Sequence, residues 1–182
     1  MARPTANENY ILVTATAPQS NSPLTALTRR ISECGCTLIE ARHVTLGGHL
    51  SIAILAMGSW DAVAKLESAG ARMERDDGIR TQLQRTTAKG KAGDQLPYSV
   101  EVVAADRPSI LFQLVEFFNQ HAIAIDSLSA SRFRAVQTGA EMFSAQIQIG
   151  IPSRTHLATL RDDFLEFCDE LNLDAIMDPV KL

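Results

Sequence analysis

Four apolar positions in the first half of this 182-residue chain, Leu24, Leu27, Ile31 and Leu38, recur 87 positions later as Leu111, Leu114, Phe118 and Ile125. One register held across a helical pattern and the extended stretch that follows it marks a duplicated structural unit. Such a chain solves one packing problem twice, each time with about half of its residues. Units that small bury one face of a single sheet under a few helices.

The order of elements in the first copy follows from period and punctuation. Residues 10–16 form a β-branched run of strand length. Ser22-Pro23 reads as an N-cap followed by proline at the first helical position. Leu24, Leu27, Ile31 and Cys34 then step by three and four along one buried helix face, and Gly35 ends the helix as a left-handed residue does. Residues 36–46 are extended, Gly47-Gly48 is a hairpin turn, and 49–57 return as a strand. Ser59 is placed to cap a second helix, with Asp61 in its first turn and Val63, Leu66, Ala69 and Met73 on its buried face. Asp77-Gly78 breaks that helix, and residues 79–85 make a polar fourth strand.

The pattern repeats in the second half. There is a strand over 98–105, a turn at 106–109, a helix over 110–121 and an extended stretch over 125–134. A turn at 135–140 leads to an alternating strand over 141–149. A helix carrying Leu157, Leu160, Phe164, Phe167 and Leu171 and a last strand over 173–180 complete it. Strand, helix, strand, strand, helix, strand, twice, predicts an α+β fold: two tandem ferredoxin-like βαββαβ domains, with helices on one face of antiparallel sheets. The expected limits are 8–86 and 96–182. Residues 87–95, lacking apolar periodicity, serve as the linker, and the polar residues 1–8 are expected to fray.

Charge narrows the function. Residues 1–92 carry 11 Lys/Arg against 8 Asp/Glu, whereas 93–182 carry 6 against 13. A net charge of −4 and an aromatic content of 5% argue against a tight direct nucleic-acid binder, which needs a basic face or a stacking surface. No run is long and apolar enough to span a bilayer, and residues 1–7 lack a signal-peptide core, so a cytoplasmic protein is expected. Three cysteines, Cys34, Cys36 and Cys168, fit reduced thiols in that compartment.

The turn Asp106-Arg107-Pro108-Ser109 is the chief candidate site. Asp106 is expected to cap the helix behind it by accepting first-turn N–H groups. Pro108 suits a helix start, and small Ser109 lets another group approach those donors. Such a turn seats a small polar or anionic ligand, although a capped turn without a ligand accounts for the same residues. Elsewhere catalytic chemistry is poorly supplied. Cys34-Gly35-Cys36 is the one close thiol pair, with no second ligand pair at metal-binding spacing, and packing is the simpler role for it and for Cys168. His43, His49, His121 and His156 form no HxH or HExxH motif and lie in separate elements. No phosphate loop, dinucleotide fingerprint, metal set or cofactor site is expected.

With its Asp-Arg-Pro turn and its duplication, the chain resembles tandem ACT domains, a family of βαββαβ modules that bind amino acids. In that family the first strand runs into an Asp-Arg-Pro-Gly turn, matched here at three of four places. The stretch of residues 27–36, Gly58-Ser59-Trp60 and Arg85-Thr86-Thr87 extend the resemblance to two-module regulators that lack further domains. It implies a non-enzymatic amino-acid sensor, with glycine the suspected ligand, that represses transcription through a DNA-binding partner. Asp106, Arg107, Pro108 and Ser109 would hold the ligand in the second half. The matching turn of the first half, Gln19-Ser20-Asn21-Ser22, lacks aspartate, arginine and proline but keeps small polar groups able to bond a carboxylate or ammonium. Exposed edge strands suggest a homodimer. The competing reading is a small enzyme or redox protein on the same scaffold using Cys34 and Cys36, since this architecture hosts many functions.

Overall fold

The computed structural model describes residues 8–19, 22–88 and 94–180. The chain divides into two compact units, Met1–Gly90 and Lys91–Leu182. The first contains β1 (Asn9–Pro18), α1 (Pro23–Glu33), β2 (Thr37–Leu46), β3 (His49–Gly58), α2 (Trp60–Asp77) and β4 (Arg80–Thr86). The second contains β5 (Gln95–Ala105), α3 (Ile110–Gln120), β6 (Ala124–Arg134), β7 (Glu141–Pro152), α4 (Leu157–Glu170) and β8 (Asp174–Pro179). Each unit is one antiparallel four-stranded sheet, in the order β2-β3-β1-β4 or β6-β7-β5-β8, as the ferredoxin-like reading requires. Residues 1–7 and 181–182, and 89–93 of the expected linker, lie outside the described residues.

Period and burial agree element by element. On β1, Ile11, Val13, Ala15 and Ala17 are buried, and on β3 beside it Leu50, Ile52, Ile54 and Ala56 are buried. The two strands pair with Val13 opposite Ile54, which brings both apolar rows to one face. Leu27 and Ile31 of α1 and Val63, Leu66, Ala69 and Met73 of α2 close the core over that face. The second core is built alike from Val100, Val102, Ala145, Ile147 and Ile149 under Leu114, Phe118, Leu160 and Phe164. Each large side chain removed from water in this way contributes about 1.5–3 kcal/mol. Edge strand β2 lies beyond this cover, and all ten of its residues are exposed.

Helix ends match the sequence reading in part. Ser59 caps α2, its Oγ accepting the Ala62 N–H at 3.2 Å, and Pro23 occupies the first turn of α1. Ser22 is the N-cap residue of α1, but with φ 46° and no side-chain bond, so its hydroxyl does not cap. Cys34, expected on the buried face, is instead the half-buried residue that closes α1, because the helix ends at Glu33.

The duplication runs deeper than the sequence match. Left-handed residues sit at Ser22 and Ser109, at Gly35 and Ala122, and at Gly78 and Asn172, the same junctions in both units. A register shift between Leu38 and Glu40 in the first edge strand recurs between Ile125 and Ser127 in the second. The first pair is serine in both units, and at the other two the side chains differ while the backbone does the same thing. Among the described residues no helix is long and apolar enough to cross a membrane.

Candidate functional site

The second unit's strand-to-helix turn begins where β5 ends, with the Asp106 N–H donating to the Glu141 carbonyl at 2.9 Å. The Asp106 carboxylate does not cap α3, contrary to the sequence reading. The N-cap falls three residues later, on Ser109, which makes no side-chain cap bond. Asp106 is instead 16% exposed and paired with Arg132 of β6, Oδ2 to Nε at 3.1 Å. Both kinds of bond are charge-assisted for a carboxylate, and the guanidinium adds a full opposite charge. Pro108 precedes the cap rather than opening the helix.

Ser109 has φ 72° and ψ 1°. A left-handed residue here turns the chain from strand into helix, and this is the position at which the resembling family carries glycine. The first bond of the helix is Gln113 N–H to the Ser109 carbonyl at 2.9 Å. The N–H groups of Ile110, Leu111 and Phe112 therefore have no acceptor among the described residues. Arg107 reaches the other way, Nη2 donating to the Leu171 carbonyl at 3.3 Å, where the C-terminal end of α4 favours a cation.

These groups surround a cleft of about 330 Å³ lined by Asp106, Arg107, Ser109 and the first turn of α3, and by Ser131, Arg132 and Phe143 across it. An acid, a guanidinium, a hydroxyl and free helix N–H groups stand beside the apolar surface of Ile110, Leu111, Phe112 and Phe143. The arrangement supplies an acceptor for an ammonium and donors for a carboxylate. Of the residues expected from sequence, Asp106, Arg107 and Ser109 meet at this cleft; Pro108 holds the turn. Ser131 and Arg132 went unnoticed in the sequence because only sheet pairing, which sets Arg132 opposite Phe143, carries β6 to the turn. In the first unit, Gln19 and Ser22 are exposed and the Gln19 N–H is tied to the Gly48 carbonyl at 3.2 Å. Ser20 and Asn21 lie outside the described residues.

Two of the three thiols, Cys36 and Cys168, are buried, and Cys34 is half-buried. Burial pushes the Cys36 thiol up, with Cys34 nearby adding to the effect. Burial, helped by Asp169, pushes Cys168 up to about 11. Both are protonated at neutral pH, the opposite of an activated cysteine. Among the described residues no cluster of three or more His, Cys, Asp or Glu side chains could hold a metal.

Fold and comparison together define the class: two ferredoxin-like βαββαβ modules in tandem, of which residues 9–84 match the family model of the ACT domain. The match falls on the unit whose turn lacks the Asp-Arg-Pro sequence. Along nearly its whole length the chain is similar to the glycine cleavage system transcriptional repressor of Escherichia coli (strain K12), 26% identical over 166 residues, covering 91% of this chain and 87% of that one. The repressor of Shigella flexneri matches equally. A crystal structure assigned provisionally to a glycine cleavage system transcriptional repressor superposes with a TM-score of 0.73 at 20% identity, covering 96% of this chain and 99% of the other. A structure of an unknown protein from Galdieria sulphuraria gives 0.77 at 15% identity with the same coverage. At these identities the two structures speak for the fold.

Proposed function

We propose that this chain is a non-enzymatic, amino-acid-responsive regulator of transcription, a repressor of glycine cleavage genes that works in the cytoplasm through a DNA-binding partner protein. The observation that carries the reading is the second-unit cleft, where Asp106, Arg132 and three unpaired helix N–H groups stand within one small volume. Asp106 receives the ligand ammonium; Arg132 and the N–H groups around Ser109 receive its carboxylate. In the first unit Gln19, Ser20, Asn21 and Ser22 offer a weaker counterpart without a charged pair. The units act as domains over residues 8–86 and 96–182, joined by 87–95.

A negative net charge leaves DNA contact to the partner. Ligand then controls repression by favouring one of two states of the chain, and its leverage is limited to the difference in its affinity for them. Self-association belongs to the same picture, since β2 leaves a sheet edge exposed along its length.

Isothermal titration with glycine, then with the other amino acids, tests the site. Saturable binding by the wild type, weakened about tenfold or more in Asp106→Ala and Arg132→Ala, is the expected result. No heat with any amino acid removes the sensor reading. Tight operator binding by the purified chain alone in a gel shift removes the partner.

A further inference from the structure

The polar groups around the second unit's turn are few, and several already have partners. Arg107 Nη2 donates to the Leu171 carbonyl at 3.3 Å, and the Ser131 and Ser144 hydroxyls bond each other at 3.1 Å. Ser131 pairs opposite Ser144, and Arg132 opposite buried Phe143. Successive strand side chains alternate in face, so Arg132 shares the helix-covered side and the Ser131 hydroxyl points to the other. On the cleft side this leaves the Asp106–Arg132 pair at 3.1 Å and the three unpaired N–H groups that open α3. That set answers one ammonium and one carboxylate. The Ser109 hydroxyl, which makes no cap bond, stands at the N–H end of it.

The rest of the wall is apolar. Phe112, in the first turn of α3, is 66% exposed; Leu111 is half-buried, Ala130 of β6 is exposed, and Phe143 lies behind them. Small-molecule sites combine such a wall with a few polar groups that fix orientation. The repeat sharpens the point. In the first unit Gln19 stands for Asp106, Thr45 for Arg132 and Thr25 for Phe112. The charged pair and the exposed phenylalanine thus occur together in one unit and are both missing from the other, as groups that serve one ligand would.

We infer, on the reading of this cleft as an amino-acid site, that its ligand carries a bulky apolar side chain of the leucine or phenylalanine class, and that Phe112 selects for it. Glycine satisfies the same charges but leaves Phe112, Leu111 and Ala130 in water. A side chain laid over them removes apolar surface from water on both partners. A polar side chain finds no partner on that wall and loses its own hydration.

Isothermal titration of the full chain with glycine, glutamine, leucine and phenylalanine tests this, in the wild type, Phe112→Ala and Phe112→Leu. The site is exposed, so circular dichroism should show both variants folded. Leucine or phenylalanine is expected to bind about tenfold or more tightly than glycine and glutamine. Phe112→Ala should bring the leucine-to-glycine ratio close to one, and Phe112→Leu should keep most of it. Glycine or glutamine binding as tightly as leucine and phenylalanine overturns the inference while the amino-acid sensor stands. So does a ratio that Phe112→Ala leaves unchanged, which would give Phe112 no part in the choice. No heat with any of the four, nor with the remaining amino acids, overturns this inference and the sensor reading together.

Discussion

Ser109 shows how one backbone angle can explain a residue preference. Ser109 stands where the resembling family has glycine, and its φ of 72° gives a backbone reason for that preference. An L-residue in the left-handed region carries a cost of about 1–2 kcal/mol that glycine escapes, partly offset by the entropy that glycine loses on folding. Ser109→Gly is therefore expected to stabilise the second unit by about 0.5–1 kcal/mol in urea unfolding. An unchanged or lowered midpoint would mean that the hydroxyl contributes something the backbone argument omits. Asp106 makes the companion point. Its type and position were legible in sequence as a polar anchor, but the choice between a helix N–H and Arg132 was made by β6, a strand distant in sequence.

At the scale of elements, the stretches that carry the family resemblance turn out to build the first unit. Ser59 caps α2, and the Arg85 guanidinium lies 5.5 Å from the centroid of the Trp60 ring while bonding Glu67 at 2.9 and 2.8 Å. Gly58-Ser59-Trp60 and Arg85 thus fasten the start of α2 to the end of β4. Gly58 has its own reason. A methyl group there would stand 3.0 Å from Ala62 Cβ and 3.1 Å from Cys36 Sγ, where β3 passes the start of β2. Gly58→Ala is expected to destabilise the first unit by about 1 kcal/mol or more, read as a lower thermal midpoint, because the crowding falls on a buried thiol and a helix. A raised midpoint would show that the junction yields easily.

Over the whole molecule, two separate cores imply two separable transitions. Trp60 is the one tryptophan and belongs to the first unit, so its fluorescence follows that unit alone. Phe118 is fully buried in the second core against Leu114 and Phe164. Phe118→Ala should cost the second unit about 3–5 kcal/mol. Far-ultraviolet circular dichroism should then show an early transition in urea while the Trp60 transition stays in place. If both move together, the cores unfold as one cooperative body.

By itself the sequence determined the duplication, the α+β class and the order of elements. Those follow from apolar period, glycine and capping residues, which act over a few positions along the chain. It also marked the Asp106 turn, because strand, turn and helix are contiguous there. Tertiary structure decided what surrounds those marks. Only sheet pairing could bring Ser131 and Arg132 to the turn. Contacts between residues distant in the chain are set by the packing of whole faces, and local pattern holds no record of which side chains those faces bring together.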